Sequence, residues 1–142
     1  MATRKKDLAS LIRIRKWDVD EHQRALAALL RREEAILDAQ AALAEEMRRE
    51  AAFVAEAGAE QRITFAAYLD RCDARKQEMA AALAEVRRLI DEAREELAEA
   101  YRRLKTFEVT QEARALAEEQ EANRLEQMDL DEIGLTLHRR RA

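Results

Sequence analysis

Apolar residues recur at alternating three- and four-residue spacing over two stretches, and the pattern slips by one residue between them, beside Gly58. No proline interrupts the 142 residues. Three- and four-residue steps keep side chains on one face of a helix, so each stretch carries a seam able to pack on another helix. The predicted fold class is all-α: two long helices in an antiparallel coiled-coil hairpin, the second longer than the first.

The first stripe runs Leu8, Ile12, Arg15, Val19, His22, Leu26, Leu29, Glu33, Ile36, Gln40, Leu43, Met47, Glu50, Val54, Ala57, with Leu30 and Leu37 widening the face. Arg15, Glu33, Gln40 and Glu50 weaken its packing but help to fix register. The second runs Phe65, Leu69, Cys72, Lys76, Met79, Leu83, Val86, Ile90, Ala93, Leu97, Ala100, Leu104, Phe107. The frame of the first would have continued through Thr64 and Tyr68, so the seam restarts one residue late, just past a strong helix breaker. A single rod pairing in parallel would keep its phase or skip three or four residues. The predicted elements are a helix over about 4–57, a turn over 58–62 and a helix over 63–137, forming one hairpin.

Residues facing each other across such a seam have numbers summing to about 118. The first helix, about 75 Å long at 1.5 Å per residue, therefore ends beside Thr110, while the second, exceeding about 110 Å, continues. The continuing frame reads Gln111, Arg114, Glu118, Glu121, and apolar residues return only at Leu125 and Met128. From Glu108 to Glu132 nine acidic residues face two basic ones, Arg114 and Arg124. A C-terminal overhang without an intramolecular partner is the expectation.

Composition agrees. Ala, Glu, Lys, Leu and Arg supply roughly two thirds of the chain, above the ~50% typical of coiled coils. Aromatics are 4% and charged residues 39%, enough for a thin seam but not for a thick globular core. A net charge of −4 gives no general reason to bind nucleic acid. One cysteine forms no internal disulfide, no segment is apolar enough to span a bilayer, and no secretory signal follows the basic start. A cytoplasmic protein, monomeric when free, is expected.

No arrangement of residues points to catalysis, a metal or a cofactor. His22 and His138 are far apart, Cys72 falls on the seam as a small apolar residue, and two glycines cannot build a phosphate-cradling loop. The chain is expected not to be an enzyme. The ends are more informative. Arg4, Lys5, Lys6, Arg13, Arg15 and Lys16 make a basic start, and His138, Arg139, Arg140 and Arg141 a basic finish. Either they complement the acidic overhang, each exposed pair contributing tenths of a kcal/mol, or they dock an acidic partner. In this frame Trp17 points away from the seam, beside the off-seam Leu11 and Ile14, as protein-contact hot spots do; if the frame drifts here, it lies over the partner helix instead. Leu130, Ile133, Leu135 and Leu137 likewise call for a partner.

Several of these segments resemble one family. The run Leu11 to Glu21 (LIRIRKWDVDE), Phe65 to Tyr68, Tyr101 to Lys105, and Asn123 to Gln127 with Asp131, Glu132 and Ile133 resemble the FliJ family of flagellar type III export components. The likeness extends over essentially the whole chain. It implies a cytoplasmic hairpin, held at the inner membrane through the export apparatus, that inserts into the hexameric export ATPase like the stalk of a rotary machine. It also implies contact with the cytoplasmic part of the membrane export gate and escort of export chaperones, with no nucleic acid and no membrane insertion. By this resemblance the ATPase-binding residues are Arg4, Lys5, Lys6, Arg13, Ile14, Lys16 and Trp17, with Arg124, Asp131, Glu132, Ile133 and Arg139. The gate-binding strip is Tyr68, Arg71, Arg75 and Glu78, more polar than such a contact should be. The alternatives are a self-associating coiled-coil scaffold or chaperone, and the equivalent stalk of a virulence-type injectisome.

Overall fold

The computed structural model describes the backbone of residues 2–142 and the side chains of residues 8–142. Two helices account for nearly all of it, α1 (Ala2–Ala55) and α2 (Ala59–Arg141), with no strand among the described residues. They pack as the antiparallel hairpin that the two stripes predict. Arg75 reaches Glu46, Arg87 reaches Glu33, His22 faces Glu96, and the Arg15 guanidinium lies over the Phe107 ring. Each pair sums to within a few residues of the expected value.

The turn is shorter than expected and comes earlier. Only residues 56–58 leave the helices, because Ala59, Glu60, Gln61 and Arg62 are good helix formers and start α2 at once. Ala57, placed on the first stripe, lies outside α1. The last turn of α1 tightens, with Glu56 N–H donating to the Phe53 carbonyl (3.3 Å) and Ala57 N–H to that of Val54 (3.1 Å). The Gly58 carbonyl accepts the first bond of α2, from Arg62 N–H at 3.4 Å. Gly58 keeps a negative φ, so it breaks the helix by its low propensity rather than by a left-handed turn. At the other end α2 runs past residue 137, its last turn holding His138, Arg139, Arg140 and Arg141. These positive charges favour the carbonyl-rich end of the helix dipole.

The chain divides into two compact units. In Val19–Glu99, the two helices meet along a seam whose most enclosed side chains are Leu43, Cys72 and Val86. The sequence frame holds here except at Glu50 and Lys76, which are exposed. Both keep their charged ends in water, which costs far less than burying them. Glu33, also on the frame, is half-buried and paired with Arg87.

The other unit consists of the residues before Val19 together with Ala100–Ala142. Leu8, Ile12, Ala100 and Leu104 are buried in it. Arg15 is half-buried, its charge against the negative face of Phe107 at 5.6 Å. Every residue from Gln111 to Ala142 is exposed, so the overhang is a helix with no cover of its own.

Candidate functional site

Among the described residues no group of His, Cys, Asp or Glu could hold a metal ion, and no helix is long and apolar enough to cross a membrane. The informative surfaces are two exposed ones, each confined to one unit.

In the unit of the chain ends, Leu11, Ile14 and Trp17 follow one another up α1 at three-residue steps. They are 40%, 57% and 62% exposed. A three-residue step falls short of a full helical turn, so the row winds from the edge of the seam to the outer face. Trp17 lies off the seam, as the sequence frame places it. Arg13 and Lys16 are exposed alongside. The side chains of Arg4, Lys5 and Lys6 lie outside the described residues.

The other ATPase-binding candidates all stand on the overhang. Arg124 bonds the Glu121 carboxylate through Nε and Nη2 (3.0 and 2.7 Å), and its Nη1 reaches the Met128 sulfur at 3.2 Å. This fork holds the Glu121 carboxyl below its ordinary range and the guanidinium above its own. Asp131 accepts a bond from Gln127 Nε2 at 3.0 Å. Ile133 is 57% exposed, and Glu132, Leu137 and Arg140 share a shallow face with it. Arg139 is exposed. The structure therefore puts both candidate groups in one unit. With Arg15 level with Phe107, Arg124 stands about 15 Å along α2 beyond the level of Leu8, at 1.5 Å per residue.

The strip Tyr68, Arg71, Arg75, Glu78 lies in the other unit, on one flank of α2. Arg71, Arg75 and Glu78 are exposed, and Arg75 pairs with Glu46 at 3.4 Å. Tyr68 is half-buried and stacks on Phe65, ring centroids 5.9 Å apart. Its hydroxyl oxygen is shielded from water without a well-formed hydrogen bond, the Cys72 thiol being a weak neighbour. Burial, helped by Cys72 and the carboxylates of Glu46 and Glu50, pushes its pKa up to about 12.

Beside this strip is a shallow depression of about 400 Å³, lined by Phe53, Val54, Phe65, Tyr68 and Arg71 among others. Phe53 is 68% exposed, and it adds apolar surface beside the polar strip. The sequence frame passes over Phe53 because it is off the stripe, and only the pairing across the turn sets it next to Tyr68.

The Tyr68 environment has a consequence at high pH. The folded-state pKa exceeds the ordinary value of 10.0, so the folded chain favours the neutral phenol. The resulting stability is fully present below pH 10 and is lost as pH rises towards 12. An ultraviolet absorbance titration should show a late phenolate step, absent in Tyr68→Phe. Its persistence in that variant would assign it elsewhere.

A sequence profile described as "Flagellar FliJ protein" matches residues 4–142. Neither a curated protein nor a solved structure matches the chain.

Proposed function

The chain belongs to the FliJ family of flagellar export components, and from that premise we propose that it acts as a non-enzymatic stalk of the type III export apparatus. The unit of the chain ends engages the hexameric export ATPase. The depression at Phe53 and Tyr68, with Arg71, Arg75 and Glu78, meets the cytoplasmic part of the membrane export gate. Escort of export chaperones is a further part of the proposed role, supported by the same family membership. The protein works in the cytoplasm, held at the inner membrane by these contacts.

One observation carries the ATPase assignment: Leu11, Ile14 and Trp17 are exposed in the same unit as an uncovered helix of more than 30 residues. A pair of helices giving way to a single helix suits a narrow opening. A ring presents that opening with several copies of one surface around it. A stalk touching those copies unequally favours some of their conformations over others, and that difference in contact energy is the coupling. The chain itself carries out no turnover.

The test is the rate of ATP hydrolysis by the ATPase with and without saturating amounts of this protein, alongside the ATPase's oligomeric mass. Stimulation or enhanced hexamer assembly is expected. Unchanged rate and unchanged assembly would remove the stalk role.

A further inference from the structure

The seam of the chain-end unit is short, and one of its side chains does not suit it. Leu8 and Ile12 of α1 and Ala100 and Leu104 of α2 are its buried residues. The next seam position on α1 is Arg15, where an aliphatic side chain would continue the burial. The Arg15 guanidinium lies 5.6 Å from the centre of the Phe107 ring, and its Nε is shielded from water with no hydrogen-bond partner. An N–H in that state has given up water and gained nothing in return, which offsets much of the attraction between the cation and the ring.

The other unit treats a polar seam residue differently. Glu33 is paired there with Arg87, and Leu43, Cys72 and Val86 are almost sealed. Residues 8–18 stand in the early turns of α1, so their release leaves that second seam intact. A segment held by few buried apolar contacts and one imperfect polar one belongs to the low end of the stability range within a protein.

We infer that residues 8–18 leave α2 as one cooperative segment, and that the Arg15–Phe107 contact is the weak latch that sets how often they do so. In the open form Arg15 Nε regains water, while Ala100, Leu104 and Phe107 lose their cover. A minor state of about 0.1–10% is the scale on which such openings are populated. The open form shows a partner what the closed form hides, an apolar stripe of Ala100, Leu104 and Phe107 that leads straight into the overhang. The bare part of α2 lengthens by about 15 Å, at 1.5 Å per residue. A partner that prefers this stripe, the proposed ring included, draws the chain towards the open form by the size of that preference.

Hydrogen exchange of the full chain, followed amide by amide at low urea concentrations, tests the inference with no partner present. Relative to their intrinsic rates, residues 8–18 should share one opening and exchange at least about tenfold faster than the amides around Leu43 and Val86, with a common and shallow dependence on urea. Arg15→Met removes the unpaired N–H and keeps an unbranched stem, and it should slow exchange of the segment about tenfold. Phe107→Leu removes the ring face and should speed it about threefold. Circular dichroism checks that both variants remain helical. Protection of residues 8–18 equal to that around Leu43 overturns the inference. So does protection that falls residue by residue from Asp18 to Leu8, as in plain fraying, and so does either variant exchanging like the parent chain. Because no ATPase is present, these results are independent of the stalk role.

Discussion

Leu43→Ala is expected to lower the unfolding free energy by about 3 kcal/mol, within the usual range for a buried leucine cut back to alanine. Leu43 is 2% exposed, and the seam has only two helices to supply its walls. A missing isopropyl group there leaves its neighbours without contacts that no third element replaces. Leu125→Ala removes the same atoms from the overhang, where the side chain is 49% exposed, and should change stability by no more than about 0.5 kcal/mol. Urea unfolding followed by circular dichroism measures both. The midpoint should fall for Leu43→Ala at unchanged slope and stay for Leu125→Ala. Equal losses would mean that the overhang is packed and that the seam is not the source of stability.

That contrast marks what the sequence states clearly and what it leaves open. Periodicity identifies a seam because burial of one helical face is a property of spacing, and Leu8, Ile12, Val19, Leu43, Val86, Ile90 and Leu104 are all buried where the spacing puts them. The overhang is equally legible, since a frame that turns to Glu118 and Glu121 has nothing to bury. The turn is less so. Its position depends on whether Ala59 to Arg62 continue the loop or begin a helix, and helix propensity outweighs the nearby glycine. Cross-seam partners need a register, and a register is a matter of single residues. The sum near 118 points to the neighbourhood of Phe107 for Arg15 but not to a guanidinium stacked on its ring. For the same reason the depression at Phe53 and Tyr68 has no signature in either stripe. It exists because two off-frame aromatics approach from opposite sides of the turn. Polar strips read from one helix therefore understate the apolar character of a surface that two helices build.

Trp17→Ala carries the second large effect, this time on binding. A large exposed indole with aliphatic neighbours has the composition of an interface hot spot, where truncation costs about 2 kcal/mol, roughly 30-fold in affinity. Applied to the proposed ATPase contact, the variant should need about 30-fold more protein for half-maximal stimulation. Its urea midpoint should match the unsubstituted chain, because a 62% exposed side chain contributes little to the seam. Lys16→Ala beside it should act differently, slowing association and weakening its salt dependence while leaving dissociation nearly unchanged. If Trp17→Ala stimulates at the same concentration as the parent chain, the row is not the ring contact. The overhang would then be the remaining candidate within that unit, with Ile133 and Arg139 as the positions to truncate next.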